Sequence, residues 1–227
     1  MFNAKNKSRE NVEPANKKKL SNERAFKDID SEEKSYWLGY FSADGCISTD
    51  NKGSYRISIT SIDLDIIYGF MDFLGSRHKI CENKLNKNTA YTVTFGSKIM
   101  FNDLLLLGVK PNKTTNLEPP AIKENLIRHY IRGYIDGDGS VCVSKEKTGK
   151  SIFSVSVVGR ESVISWITKH LSKACELKST GSYKFKTLTV LKRTQKQAIK
   201  IAEYIYKDNI VCLKRKEDKY KEYIGVK

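Results

Sequence analysis

Tyr36-Trp37-Leu38-Gly39-Tyr40-Phe41-Ser42-Ala43-Asp44-Gly45 and Tyr130-Ile131-Arg132-Gly133-Tyr134-Ile135-Asp136-Gly137-Asp138-Gly139 are two versions of one segment, the second beginning 94 residues after the first. Each reads as an apolar helical run holding a small residue, a second small residue four positions on, and a closing Asp-Gly. Gly39 and Ala43 fall on one helical face, as do Gly133 and Gly137. Small residues at that spacing let two helix backbones approach closely. If the copies pack through these faces, their C-terminal ends converge and bring Asp44 and Asp138 together. Carboxylates so placed repel one another, and helix C-termini already carry partial negative charge. A divalent cation resolves the conflict. Mg²⁺, or another such ion like Mn²⁺, suits a set of carboxylate, carbonyl and water oxygens that also meets phosphate. One Asp-Gly after a helix is usually a cap and turn. Two in matching context, each followed by a hairpin pattern, point to chemistry.

Charge names the class of partner. The 227 residues include 41 Lys and Arg against 26 Asp and Glu, a net charge of +15, which favours a polyanion and nucleic acid first. No apolar run reaches the roughly 18 residues of a membrane span. The polar, Lys-rich start has no apolar core for a secretory signal. The five cysteines are scattered without a CxxC pair, and His78, His129 and His170 are far apart, which argues against structural zinc. A reducing compartment, cytoplasmic or organellar and not secreted, fits this usage.

Outward from the two segments, the patterning repeats. Residues 1–30 read as a flexible basic tail, polar for most of their length. Ser31 then caps a helix that runs through the first motif. A hairpin through 46–50 and 54–61, a helix over 62–74, strands over 77–83 and 89–95 and a helix over 98–107 complete a unit spanning 31–116. The same order recurs over 117–227: a helix to Gly137, a hairpin through 140–144 and 152–158, a helix over 161–173, strands over 182–186 and 187–192, and helices over 194–206 and 213–223. The fold class is α+β, a duplicated αββαββα unit.

Both opening segments resemble the motif that names the LAGLIDADG family of homing endonucleases, Trp37–Gly45 and Ile131–Gly139 matching it position for position. The resemblance runs over about residues 31–227 and includes Leu107–Thr114 after the first repeat and Leu213–Lys216 near the end of the second. It implies the two-repeat, single-chain form of the family: a monomer whose repeats form a pseudo-two-fold saddle over double-stranded DNA. The implied activity is metal-dependent, site-specific hydrolysis of both DNA strands at a long, asymmetric or pseudo-palindromic site. Asp44 and Asp138 would be catalytic metal ligands, with the carbonyls of Ala43 and Gly137 beside them. Lys113 and Lys216 would be the basic residues near the cleavage points, with Lys214 a rival to Lys216. Where the sixth motif position is Asp136 in one repeat, it is Ser42 in the other. The polar residue often found at the end of the second strand is Ser61 in repeat one and Gly159 in repeat two, which implies unequal cutting of the two strands. Relatives of this fold also serve as RNA maturases or as non-cleaving DNA-binding proteins, so RNA is an alternative partner. The chain shows no terminal His-Asn pair, and a free-standing or intron-encoded protein is expected.

The alternation of the strands selects the side chains that would face the major groove, which admits a two-stranded β-ribbon. In repeat one these are Ser48, Asp50, Arg56, Ser58 and Thr60, followed by Arg77 and Lys79. In repeat two they are Ser144, Ser154 and Ser156, followed by Lys184 and Lys186, with Ser182, Thr187 and Thr189 on the same face. Arginine has the paired donors that read guanine, and lysine more often meets phosphate.

Overall fold

The computed structural model describes residues 20–51, 53–84, 88–111, 117–178 and 181–225. Ser31 accepts the Lys34 N–H through its side chain at 3.3 Å and, with Glu32 and Glu33 in the first turn, starts α1, Glu32–Asp44. The helix passes directly into a strand: Gly45 has φ −73° and ψ 161°, extended backbone with no left-handed turn. Glycine is needed there for space, because a Cβ would run into the ring of Phe41. Strands β1 (Gly45–Thr49) and β2 (Tyr55–Ser61), helix α2 (Leu64–Phe73), strands β3 (Cys81–Lys84) and β4 (Thr89–Phe95), and helix α3 (Lys98–Leu106) follow.

The second unit repeats this order. After a 3₁₀ turn at Glu124–Leu126 come α4 (Ile127–Asp138), β5 (Gly139–Lys145), β6 (Ser151–Gly159), α5 (Glu161–Ala174), β7 (Tyr183–Phe185), β8 (Leu188–Thr194), α6 (Gln195–Tyr206) and α7 (Lys214–Ile224). Each unit forms a four-stranded antiparallel sheet, in the orders β1-β2-β4-β3 and β5-β6-β8-β7. The fold is mixed α+β. Among the described residues no helix is long and apolar enough to cross a membrane.

The alternation of each sheet buries one face under the helices. Ile57, Ile59, Val93 and Phe95 do this in the first unit, and Phe153, Val155, Val157 and Leu191 in the second. The first core is aromatic, with Trp37 and Phe70 ring centroids 5.3 Å apart. Phe26 belongs to that core. It is fully buried, with its ring 5.7 Å from Phe73 and 6.2 Å from Phe41. The Asn22 N–H donates to the Leu74 carbonyl (3.1 Å), Ser21 to the Gly75 carbonyl (3.0 Å) and Ser97 to Glu23 (2.8 Å). The stretch 20–30, expected to be part of the tail, is therefore a strap over the first unit. The few apolar residues Leu20, Ala25 and Phe26 suffice to anchor it, because a pocket between α1 and α2 receives them.

Candidate active site

The helices α1 and α4 meet backbone to backbone. A Cβ on Gly39 would collide with the Tyr130 carbonyl, and one on Gly133 with the Tyr36 carbonyl and, at 2.7 Å, the Tyr40 amide nitrogen. The contact is reciprocal, as an approximate two-fold requires. At its C-terminal end, a Cβ on Gly137 would collide with the Ala43 methyl and come 3.4 Å from an Asp44 carboxylate oxygen. Asp44 therefore lies alongside the last turn of α4, the turn that ends in Asp138. Both acids are partly exposed, and each is followed at once by the first strand of its sheet. Among the described residues no group of three His, Cys, Asp or Glu side chains gathers as a metal site. Two carboxylates beside main-chain carbonyls are a hard-oxygen set. Such a set fits a cation that keeps several waters and shares phosphate oxygens, as Mg²⁺ does.

Two pairs of tyrosines line the helix contact, at equivalent positions of the repeats. Tyr40 donates to Ser61 at 3.2 Å, and burial with the nearby Asp44 carboxylate raises its pKa. Tyr134, its counterpart, is raised by burial and then by Asp138. Its hydroxyl occupies the space that a side chain at Gly159 would need. Tyr36 donates to Asp136 at 3.0 Å across the helix pair, whereas its counterpart Tyr130 faces Ser42.

Asp136 is a buried hub. It also accepts the Tyr206 hydroxyl (3.0 Å) and the Leu213 N–H (2.7 Å), tying α1, α6 and the start of α7 to α4. Burial pushes its carboxyl up to about 6, against the pull of the Leu213 N–H and the Lys216 charge. Arg132, one turn earlier on α4, is fully buried and donates to the Val211 (2.9 Å) and Ile205 (3.0 Å) carbonyls.

Lys216 is buried beneath the same turn. Its ammonium donates to the carbonyls of Ile135 (2.8 Å), Asp136 (2.7 Å) and Gly139 (2.7 Å). An ammonium has three protons, and all three are committed to the end of α4, where a cation complements the helix dipole. Burial holds its pKa down at about 8. Lys214, the rival position, is exposed. Next to Lys216, Arg215 grips Asp63 of the first repeat through its Nε (2.8 and 3.0 Å). This clasp borders a cleft of about 860 Å³ between α2 and the α6–α7 connection. Lys113 lies outside the described residues.

Sequence reading passed over Tyr40, Tyr134, Arg132 and the Asp63–Arg215 clasp. The recurrence of Tyr at both positions of both copies was the signal available for the first two. The clasp joins residues 152 apart and left no local trace.

The open faces of the sheets can be read from the pairing. In repeat one Ser48, Arg56, Ser58 and Thr60 share the face away from the helices, and Arg56 is tied to Asp50 at 3.3 Å. Arg77 and Lys79 are exposed but precede β3. In repeat two Ser144, Ser154 and Ser156 share the open face. The reading of β7 and β8 is reversed by their pairing. Leu191 pairs with Val157 and is buried, which sends Thr189 and its partner Lys184 to the helix side. Lys184 there pairs with Glu161 at 3.1 Å. Lys186 is in the β7–β8 turn at φ 54°. The apolar Leu188 and Val190 made the wrong face look like the core face.

Residues 31–107 match the family model described as a LAGLIDADG-like domain. The first repeat carries a LAGLIDADG-like domain. Over most of its length the chain shares its fold with solved structures of LAGLIDADG homing endonucleases. The LAGLIDADG homing endonuclease I-SmaMI bound to cleaved DNA superposes with a TM-score of 0.56 at 15% identity, over 87% of this chain and 88% of that one. I-SmaMI bound to an uncleaved DNA target in the presence of calcium ions gives 0.56 at 15%, over 84% and 87%. The LAGLIDADG homing endonuclease I-LtrWI bound to target DNA gives 0.55 at 10%, over 86% and 89%. A comparison with curated protein sequences gives no match. The matched segment contains α1, and α4 holds the equivalent place in the second unit.

Proposed function

We propose that this chain is a site-specific endonuclease that hydrolyses both strands of a DNA duplex with a divalent cation, Mg²⁺ or Mn²⁺, held between the two motif helices. The observation that supports this reading is that a Cβ on Gly137 would lie 3.4 Å from an Asp44 carboxylate oxygen, which sets Asp44 alongside the turn that ends in Asp138. Asp44 and Asp138 would hold the cation with the Ala43 and Gly137 carbonyls. When bound, it supplies charge neutralisation at the phosphate and a more acidic water. The chain's own residues do the rest. Tyr40 orients Ser61 beside the first acid, and Lys216 fixes the carbonyls of the turn that presents Asp138. Lys216 is therefore assigned a positioning role, with no proton left for the phosphate; Lys113 is proposed to stand near it. The open faces, with Ser48, Asp50, Arg56, Ser58 and Thr60 on one side and Ser144, Ser154 and Ser156 on the other, would read the groove, and a net charge of +15 draws the duplex in.

The test is cleavage by purified protein of duplexes selected from a randomised pool, with Mg²⁺ and with Mg²⁺ replaced by EDTA. Asp44→Asn and Asp138→Asn should each abolish cutting while retaining binding. Undiminished cutting by either variant would remove the acids from the chemistry. Binding without any cutting by the wild type would make the chain a binding protein.

A further inference from the structure

The open faces of the two sheets are built alike and coloured differently. In repeat one the row Thr60, Thr92 and Cys81 crosses β2, β4 and β3, with the Thr60 and Thr92 hydroxyls 2.9 Å apart. The corresponding row in repeat two is Val158, Val190 and Tyr183. One row further along these strands, Ala90 and Asn83 are matched by Leu188 and Phe185. The edge of the second sheet is thus apolar where the first is polar. It is also open: Tyr183 is 53% exposed and Phe185 59%, on a strand with no buried residue.

This patch has no covering element among the described residues, and its surroundings define its partner. Lys192 is exposed on the same face, paired with Ser156, and the Lys186 ammonium lies 5.8 Å from the Phe185 ring centroid. At the far end of β6 the hairpin tip carries exposed Lys145, Lys147 and Lys150. A second copy of so basic a chain would bring like charges together. A polyanion would not, and the surface is continuous along β6 with Ser154 and Ser156. On the major-groove edge of DNA the distinctive apolar group is the C5-methyl of thymine, while guanine, cytosine and adenine offer hydrogen-bonding atoms that an apolar row cannot answer.

We infer that Tyr183, Phe185, Leu188 and Val190 form a thymine-methyl reader, so that part of the half-site under repeat two is recognised by apolar contact and the half-site under repeat one by hydrogen bonds. The inference rests on the DNA-cleaving reading above and adds what one half of the site must contain. Tyr183→Ser/Phe185→Ser is the variant to make; both side chains are exposed, so folding is spared.

Full-length protein is used to select duplexes from a randomised pool, and the selected site is resynthesised with deoxyuridine for thymidine in one half or the other. Wild type should lose about fourfold in affinity for each reading thymine stripped of its methyl, in one half only. The double variant should be indifferent to the exchange, and Tyr183→Phe should behave as wild type. If deoxyuridine has no effect in either half, or the double variant keeps the effect, the inference fails while DNA recognition stands. If no sequence is enriched, the DNA reading fails and the inference with it. If wild type sediments as a dimer and the double variant as a monomer, the patch is a contact between copies and the inference is overturned.

Discussion

Replacing Gly133 with alanine tests whether the helix contact is what holds the molecule and its site together. The added Cβ would fall on the Tyr36 carbonyl and 2.7 Å from the Tyr40 amide nitrogen, both backbone atoms that cannot rotate aside. Ordinary contact needs about 3.5 Å, so α1 and α4 must part by roughly 1 Å. Overpacking of this kind costs about 1–3 kcal/mol. Parting the helices also stretches the 3.0 Å bond from Tyr36 to the buried Asp136 carboxylate, and loss of a partner by a buried polar group adds about 1–3 kcal/mol. The expected destabilisation is about 3–5 kcal/mol, a large share of the roughly 5–15 kcal/mol that holds a domain folded. Urea unfolding followed by circular dichroism measures it. Gly181→Ala, where the new Cβ meets nothing within 4 Å, is the control and should be neutral. Gly137→Ala separates stability from function, because its Cβ meets the Ala43 methyl and Asp44 and not backbone. It should cost less stability than Gly133→Ala yet abolish cleavage. A Gly133→Ala protein within about 0.5 kcal/mol of wild type, the range of an ordinary surface change, would refute the close-packed helix pair.

Lys216→Met removes the donor to three carbonyls and leaves Asp136 without its nearby cation; it should cost about 3–5 kcal/mol in urea unfolding, and a neutral result would end the positioning role. His129 is buried, and burial followed by Arg132 and Arg128 lowers its pKa to about 4. Because the folded value is depressed, its neutral form favours folding above the unfolded pKa near 6.5, and that stability is lost as pH falls toward 4. Between pH 7 and pH 5 the loss should be about 2 kcal/mol, and His129→Gln should not show it; an equal acid sensitivity in both proteins would place the titration elsewhere. Ser61→Gly makes the end of β2 resemble that of β6. Strand-resolved gels should show slower nicking at the repeat-one site only, and an equal slowing of both strands would refute a local role for the Tyr40–Ser61 pair.

The architecture was legible where the chain repeats itself. The small residues Gly39, Ala43, Gly133 and Gly137 mark a helix contact because only glycine or alanine permits it, and alternation in Tyr55–Ser61 sets a strand because one face must be buried. Legibility failed where a few residues carry the packing. Phe26 anchors a segment otherwise as polar as a tail. In β8, Leu188 and Val190 outweighed Leu191 in the pattern, though only Leu191 faces the core. Around the candidate site the acids could be named from the motif, whereas their supports could not. Asp136, Tyr206, Leu213 and Lys216 meet only because α6 and α7 fold back onto α4, and nothing in local spacing announces a contact 70 to 81 residues away.

The two copies have diverged most where they would otherwise be forced to act alike. Leu38 and Ser42 of the first motif helix become Arg132 and Asp136 in the second, and the buried charges bind the second helix to the C-terminal α6–α7 segment. Removing a charge from water is costly, and such a network seldom adds net stability over an apolar core. Its effect is to fix one arrangement: each buried charge bonds main-chain groups at a defined place, so α4 and its closing turn have a single seat. The first helix is set in an aromatic core and, apart from tyrosine and serine hydroxyl bonds such as Tyr36 to Asp136, is located by shape. Add Ser61 against Gly159, and the polar open face against the apolar one, and the same division recurs three times. Duplication supplied the symmetry that sets Asp44 beside the turn ending in Asp138; on the proposed reading, the departures from it would let one half of a symmetric frame meet an asymmetric site.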